Sequence, residues 1–423
     1  MPTLLDTLSA RGMLHDATPD LAARLGQGPI TGYVGFDPTA DSLHVGSLMP
    51  VMALAWLQRL GGRPIVLIGG GTGMIGDPSG KKDERQMLSA GTIAVNSAAI
   101  RAQLSHFLDF DDGRTATGAL MLDNAAWLSP LNLLDFLRDV GKHFTVNYML
   151  QKESVKSRME TGISFTEFAY MLIQAFDFAE LARTTDCALQ LGGSDQWGNI
   201  TAGIELAARR DGRKLHGAVL RLLTTTSGAK FGKTEAGNIW LDPAKTSPYA
   251  FHQFWLQVDD ADIERLLKFL TFIPLDEIGT LMEQHDADRA QRIPQRRLAD
   301  DVTARVHGRV AAQSATDAAR ILFGGGDVRE AGAATLAMVS GEVTTAVLGP
   351  GELDQGIAIA DALVRAGLAT SKGEARRGLT AGGFSVNGAV ADETRTITTA
   401  DLLPGRVVLL RKGKKNWAAL HIP

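Results

Sequence analysis

Two short apolar runs on either side of one long apolar helix constrain this chain more than any other feature. Ile30 to Phe36 and Arg63 to Gly69 read as buried strands, and Leu48 to Leu60 between them is apolar nearly all round, the pattern of a helix buried on most sides. Gly61-Gly62 ends that helix. A strand, a helix and a strand of these lengths make a βαβ unit, which implies a parallel sheet. The link into the helix is Asp37-Pro-Thr-Ala-Asp-Ser42, followed by Leu43-His-Val-Gly-Ser47. A strand, a loop and a helix N-terminus together favour phosphate, because orphan N–H groups and the helix dipole both attract an anion. Ser47 reads as the N-cap, and Pro50 falls in the first turn, where a missing N–H costs least.

Further along, Ala188 to Gly193 and Val219 to Leu223 read as additional strands. Ligands of open parallel sheets sit at the C-terminal ends of such strands, so Asp195 in Ser194-Asp-Gln-Trp-Gly-Asn199 is placed for ribose hydroxyls. The segment Gly69 to Asp83 contains a formal G-x-G-x-x-G at Gly71, Gly73 and Gly76. Asp77-Pro-Ser-Gly80 breaks any helix there, and no strand ends in an acid at the required distance, so a dinucleotide site is disfavoured. A Walker A loop also fails, because the spacing glycine is missing and Lys82 stands where Ser or Thr is needed. A Gly-rich loop carrying Asp77, Lys81, Lys82 and Arg85 remains; it suits a polyphosphate or is a solvated charge cluster. A second loop, Thr224 to Glu235, carries Lys230 and Lys233 and could close cations over phosphates.

Ser164 to Leu181 reads as a helix on which Tyr170, Gln174 and Asp177 share one face among apolar neighbours. Such a stripe either faces solvent or lines a site for a small polar ligand, and the lining is the favoured reading because buried polar groups need partners. Residues 4 to 25 fit one amphipathic helix or two short ones. Residues 92 to 110 and 131 to 160 read as a helical insertion, either a subunit interface or plain core. Residues 247 to 322 read as helical, 323 to 355 as a linker, and 356 to 423 as a small module of two helices and β-rich segments. Lys372, Arg376, Arg377, Arg411, Lys412, Lys414 and Lys415 concentrate basic charge in that module, although the whole chain carries a net charge of −4. That is the footprint of a phosphate-backbone binder, or a solubilising face. A single cysteine, Cys187, excludes disulfide frameworks and cysteine zinc sites. With no secretory h-region and no 18-residue apolar run, a cytoplasmic enzyme is expected.

The motifs together resemble one family over essentially the whole length, the bacterial-type tyrosyl-tRNA synthetases. Gly35-Phe-Asp-Pro-Thr-Ala-Asp-Ser-Leu-His-Val-Gly-Ser47 is similar to the first class I signature region, and Lys230-Phe-Gly-Lys-Thr234 to the second. Gly76-Asp-Pro-Ser79, Gly192-Gly-Ser-Asp-Gln-Trp-Gly-Asn199 and an S4-like C-terminal module complete the match. The resemblance implies a Rossmann-like catalytic domain over 1–223, with a helical dimer-interface insertion around 92–160. It implies an α-helical anticodon-arm domain over 224–322, then the linker, and an S4-like RNA-binding domain over 356–423. It implies L-tyrosine, ATP and tRNA(Tyr) as substrates, Mg2+ arriving with the ATP, no dedicated metal cage and no membrane. By resemblance, His44 contacts the phosphates, and Lys230, Lys233 and Thr234 hold the leaving pyrophosphate with help from Lys81 and Arg85. Gly35, Asp37, Thr39, Gly46, Gly193 and Asp195 lie along the nucleotide. Tyr33 and Asp177 bond the phenol, Asp77, Tyr170 and Gln174 hold the ammonium, and Gln196 lies near the carboxylate.

The sequence departs from the family pattern at two places. Ser47 stands where the signature has its second histidine, and Val34 where many relatives carry a polar or Cys side chain. Both should tune ATP binding without abolishing it. An RNA-binding protein on a synthetase-like scaffold, working through its S4-like module, is the competing reading. His44→Ala should cut adenylate formation far more than tyrosine affinity; equal losses in the two, measured by pre-steady-state kinetics and equilibrium binding, would remove His44 as a transition-state group.

Overall fold

The computed structural model describes residues 2–75, 88–111, 113–152, 155–156, 159, 162–226, 228, 231–234 and 237–422, with Lys233 and Thr234 described by backbone alone. They form two units, Met1–Thr246 with Val258–Leu298, and Ser247–Gln257 with Ala299–Pro423.

The first unit is built on a six-stranded sheet of β1 (Leu14–Ala17), β2 (Thr31–Phe36), β3 (Arg63–Ile68), β4 (Leu120–Asp123), β5 (Cys187–Gly193) and β6 (His216–Leu220). Their spatial order is β1-β6-β5-β2-β3-β4. β2 to β6 run parallel, and β1 pairs antiparallel with β6 at the edge. The chain moves outward from β2 through β3 to β4, then returns to β5 on the other side of β2. The crevice of an open α/β sheet opens at such a reversal. Helix α1 (Leu48–Arg59) packs on the sheet with Leu48, Met49, Val51, Met52, Leu54 and Leu57 buried, which explains why its sequence shows no polar face. Helix α2 (Phe165–Thr185) is capped by Ser164 and Glu167 in a reciprocal capping box. It buries Met171, Leu172, Ala175, Phe178 and Ala179 in a core that also holds Tyr33 and Ile65.

The N-terminus and the insertion differ from the sequence reading. Two short helices, Leu4–Ala10 and Leu21–Leu25, flank β1, a four-residue edge strand that is too short and too polar to show a period. The insertion carries helices Ala90–Leu104, Leu133–Asp139 and Val146–Leu150, and between them β4. β4 has only four residues, enclosed by longer helical patterns. The strand expected over Val219 to Leu223 begins earlier, at His216.

Arg11 joins the N-terminal segment to a later helix, α3 (Asp260–Leu270). Its buried guanidinium donates to the carbonyls of Lys268 at 2.9 Å, Thr271 at 3.0 Å and Ile273 at 2.6 Å, and it lies 4.5 Å from the centre of the Trp56 ring. A cation at a helix C-terminus satisfies orphan carbonyls and complements the dipole. Burial, and secondarily Arg59, lowers the Arg11 pKa to about 10.

In the second unit, the five-stranded sheet runs Ala389–Val390, Phe384–Val386, Val407–Lys412, Asn416–His421, Thr344–Val347. One face packs Val408, Leu410, Ala418 and Leu420 with Ile359, Leu363 and Leu379 of the two small helices. The other packs Val407, Leu409, Trp417 and Ala419 with Ile321, Leu336 and Val339. The stretch read as a linker is therefore structured: Ala333–Gly341 is a helix, and Thr344–Val347 pairs parallel with the last strand. Among the described residues, no helix is long and apolar enough to cross a membrane.

Arg11→Met should destabilise the first unit by about 3 kcal/mol, because three buried carbonyls lose a charged donor, and Arg11→Lys should recover less than half of the loss. Thermal unfolding of the full chain followed by near-UV circular dichroism measures both.

Candidate active site

A cavity of about 220 Å³ opens at the strand reversal between β2 and β5. It is below the usual range for drug-sized ligands, roughly 300–1,000 Å³, and suits a molecule of amino-acid size. Tyr33, Gly35 and Asp37 come from β2 and the loop after it, Tyr170, Gln174 and Asp177 from α2, and Gly193, Asp195 and Gln196 from the end of β5. Nine residues singled out from sequence thus line one cavity. The stripe on α2 faces it, not solvent.

One end holds two buried acidic hydroxyl-bearing groups of different character. The Asp177 side chain, only 2 % exposed, accepts Asn124 Nδ2–H at 2.9 Å and Trp127 Nε1–H at 2.7 Å on its two oxygens. Burial pushes this carboxyl up to about 7, against the pull of the two donors, and the charges of Asp37 and Asp123 push it the same way. The Tyr33 hydroxyl is buried and meets no hydrogen-bond partner among the described residues, and its ring lies edge-on to Phe178 with centroids 5.3 Å apart. Burial, then the neighbouring Asp177, pushes the Tyr33 phenol well above its ordinary value. It therefore stays neutral and can donate. This is a donor and an acceptor matched to one further hydroxyl.

Three amides form a second group. Gln174 Nε2 donates to Gln196 Oε1 at 3.2 Å, and Asn199 Nδ2 donates to Gln174 Oε1 at 3.0 Å and Gln196 Oε1 at 3.2 Å. Gln196 Nε2 in turn donates to Asp195 Oδ2 at 3.4 Å. The network fixes the rotamers of side chains that lie four residues or less from the end of a strand or on facing helical turns.

Asn124, Trp127 and Gln190 escaped sequence reasoning. Asn124 also donates to Thr72 Oγ1 at 3.0 Å and accepts Gly71 N–H at 2.8 Å, so it ties the Gly-rich loop to Asp177. Its position just beyond β4, at the C-terminal end of a parallel strand, is the signal that could have found it. Gln190 sits beside Tyr33 in the sheet register, and its buried Oε1 has no partner among the described residues.

The first signature departs from its expected local role. Ser47 has helical backbone angles and makes no capping bond, because a 3-10 turn over Val45–Ser47 runs straight into α1. His44 caps that turn instead: its Nδ1 accepts Gly46 N–H at 3.0 Å. In the neutral ring this places the proton on Nε2. A Cβ on Gly46 would lie 2.8 Å from His44 Cε1, so only glycine leaves the imidazole in place. Thr39 donates its N–H to the Asp37 carbonyl at 2.8 Å and lies beside the cavity, not in its wall.

Backbone bonds dock the two signatures on each other. Val45 N–H donates to Ile239 O at 3.0 Å, Leu241 N–H to Leu43 O at 2.9 Å, and Ile239 N–H to Gly232 O at 3.0 Å. Gly232 has φ +83°, and a Cβ there would lie 2.1 Å from Val45 Cγ2. Lys233–Thr234 pairs with Gly237–Asn238. The expected contributions of Lys230, Asp77, Lys81 and Arg85 lie outside the described residues.

The basic residues of the second unit have different surroundings. Arg411 sits over the Trp417 ring at 5.0 Å, whereas Lys412, on the opposite face of the strand, pairs with Glu374 at 2.8 Å. Lys372 pairs with Asp361 at 2.5 Å, and Arg376, Arg377, Lys414 and Lys415 are exposed. Among the described residues, no three His, Cys, Asp or Glu side chains converge on a possible metal position.

Residues 25–324 match the family described as tRNA synthetases class I (W and Y), and residues 349–420 match the tyrosine–tRNA ligase SYY-like C-terminal domain. The tyrosine–tRNA ligase of Anaeromyxobacter dehalogenans strain 2CP-1 is 58% identical over 423 residues, covering all of both chains. That of Roseiflexus castenholzii is 49% identical over 426 residues, again covering all of both. A crystal structure of a C-terminally truncated Aspergillus nidulans mitochondrial tyrosyl-tRNA synthetase superimposes with a TM-score of 0.68 at 32% identity, over 76% of this chain and 95% of that one. A parallel sheet with its cavity at the reversal, and two signatures docked beside it, defines a class I aminoacyl-tRNA synthetase. Within that class the chain belongs to the tyrosine–tRNA ligases. The reading as a non-catalytic RNA-binding protein finds no support in these relatives.

Proposed function

We propose that this chain joins L-tyrosine to tRNA(Tyr) in two steps, through tyrosyl-adenylate, at the cavity between β2 and β5. The observation that carries the reading is a neutral, unbonded Tyr33 hydroxyl near the Asp177 carboxylate in a buried, amino-acid-sized space among the described residues. The substrate phenol donates to Asp177 and accepts from Tyr33. Phenylalanine leaves both groups unpaired and is rejected for that reason. Tyr170, Gln174 and Asp77 hold the ammonium, and Gln196 steers the carboxylate.

In the first step a tyrosine carboxylate oxygen attacks the α-phosphorus of ATP, and the bond to the bridging oxygen of the β-phosphate breaks, releasing pyrophosphate. No covalent enzyme intermediate forms, so catalysis rests on positioning and on stabilising phosphate charge. His44 donates from Nε2–H to a phosphate oxygen. Lys230, Lys233 and Thr234 take up the charge of the leaving pyrophosphate, assisted by Lys81 and Arg85. Asp195 and Gly193 hold the ribose, while Gly35, Asp37, Thr39 and Gly46 border the phosphate path. Mg2+ enters as part of the ATP substrate. In the second step the 3′-terminal ribose hydroxyl of the tRNA attacks the tyrosyl carbonyl and releases AMP. Arg376, Arg377, Lys414 and Lys415 are the basic residues best exposed for RNA phosphates.

The protein works as a homodimer in the cytoplasm on this reading. Leu133, Leu134, Leu137, Val146 and Phe165 are large apolar side chains left more than half exposed, Phe165 at 80 %. Such a patch marks an interface, and it lies in and beside the insertion expected to form one.

ATP–pyrophosphate exchange, tested with each amino acid in turn, should proceed with tyrosine alone; exchange with none would overturn the reading. Tyrosine affinity should also depend on pH. Asp177 titrates at about 7 without ligand, and a third donor, the substrate phenol, lowers that value, so below pH 7 binding must expel a proton. Affinity should therefore be flat above pH 7 and fall toward roughly tenfold per pH unit below it. Asp177→Asn should abolish that slope in calorimetric titrations at several pH values.

A further inference from the structure

We infer that Asp262, on α3, is a positioning residue for adenylate formation, acting through the limb that leads into the second signature. The inference rests on the aminoacylating reading above. Asp262 is a charged residue in the first turn of α3, yet it is 3 % exposed. Its carboxylate accepts Thr226 N–H at 3.0 Å and 3.3 Å on its two oxygens and Thr226 O–H at 2.6 Å. It also accepts Arg265 Nη2–H at 2.6 Å, and the same Arg265 nitrogen donates to the Thr224 carbonyl at 2.6 Å. Both backbone polarities of the limb are therefore gripped: a carboxylate holds an N–H, and a guanidinium holds a carbonyl.

The grip lies at a place where it can matter. Phe231 N–H donates to the Leu223 carbonyl at 3.1 Å, closing the base of the loop. On the far side of that base, Gly232 is seated on Val45 of the first signature. The described residues on either side of Lys230 are thus referenced to two places, Phe231–Gly232 to His44's own turn and Thr224–Thr226 to Asp262 and Arg265. Neither Asp262 nor Arg265 lines the amino-acid cavity. A carboxylate needs to be desolvated here only if it holds something specific, because surface pairs of the same composition are worth little and buried ones carry a large desolvation cost. Among the described residues, Leu223 to Thr226 belong to no named strand or helix, so the side-chain bonds from Asp262 and Arg265 help to define their backbone. A displacement of about 1 Å in groups that meet the reacting phosphates can cost about a hundredfold in rate.

The test is a double-mutant cycle in the full-length enzyme, with tyrosine binding, adenylate formation and thermal unfolding measured for each variant. Asp262→Asn keeps the volume but loses the charge, and Thr226→Val removes only the hydroxyl donor on the loop side. Asp262→Asn should slow adenylate formation about ten- to a hundredfold, with tyrosine affinity changed less than twofold, and Thr226→Val should give a smaller effect in the same direction. In a Lys230→Ala background, Asp262→Asn should add little further loss, because the group it positions is gone. Equal losses in the two backgrounds, a fall in tyrosine affinity as large as the fall in rate, or a Thr226→Val variant with wild-type rate would each overturn the proposal. A wild-type enzyme without tyrosine-dependent exchange would instead overturn the reading on which it rests.

Discussion

Burial of the Asp177 carboxylate is the interaction on which the site depends. Removing a charge from water is expensive unless hydrogen bonds replace the lost solvation, and here the donors come from a different strand of the sheet. Asn124 and Trp127 follow β4, Asp177 lies on α2, and Tyr33 lies on β2. The carboxyl keeps a raised pKa of about 7 even with both donors in place. In the folded chain it therefore holds its proton more tightly than in the unfolded one, and ionising it costs stability progressively as pH rises from the ordinary carboxylate range toward 7. The protein tolerates that cost at the one place where a third hydrogen bond from a ligand can offset it. Asn124 extends the dependence outward, since the same amide anchors Thr72 and Gly71. The Asp177 carboxylate and the described start of the Gly-rich loop, Gly71 and Thr72, thus share one side chain.

The second organising constraint is the docking of the two signatures. They are nearly two hundred residues apart in sequence, and three backbone hydrogen bonds, routed through Ile239 and Leu241, bring them together. The contact uses main-chain bonds on one side and the absence of a side chain on the other, since no β-carbon fits between Gly232 and Val45. His44 owes its orientation to a similar economy: the backbone N–H of Gly46 fixes its tautomer, and the missing methyl of Gly46 leaves room for the ring. Geometry set by backbone is less sensitive to side-chain drift.

Much of this was legible in the sequence because the responsible patterns are local. The βαβ unit over residues 30 to 69, the capped helix begun by Ser164 and the polar stripe of Tyr170, Gln174 and Asp177 each carry their own period or cap. That Ser47 does not act as the cap was not legible, because whether a 3-10 turn precedes an α-helix depends on where His44 points, which no period encodes. β1 and β4 were hidden by their length of four residues. Asn124 and Trp127 were invisible as site residues because their importance lies in a partner about fifty positions away. Arg411 and Lys412 are neighbours in sequence, yet strand alternation sends them to opposite faces, Arg411 over Trp417 and Lys412 to Glu374, which counting charges cannot reveal.

The antiparallel edge strand has a consequence for how the chain acquires its structure during synthesis. Leu14 pairs with Leu220, and Arg11 bonds carbonyls as far on as Ile273. The segment Arg11–Ala17 therefore finds its partners only after some two hundred later residues have been made. At ~5–20 residues per second, the N-terminal segment waits on the order of ten seconds or more for β6 alone. Non-local pairings of this kind slow folding, since loop-closure entropy must be overcome before the contacts form. Once β6 is made, its edge stays open until β1 pairs with it, and open strand edges invite pairing between chains. A strand of four residues, with polar side chains on both sides of Leu14–Ala17, leaves little apolar surface exposed during the wait.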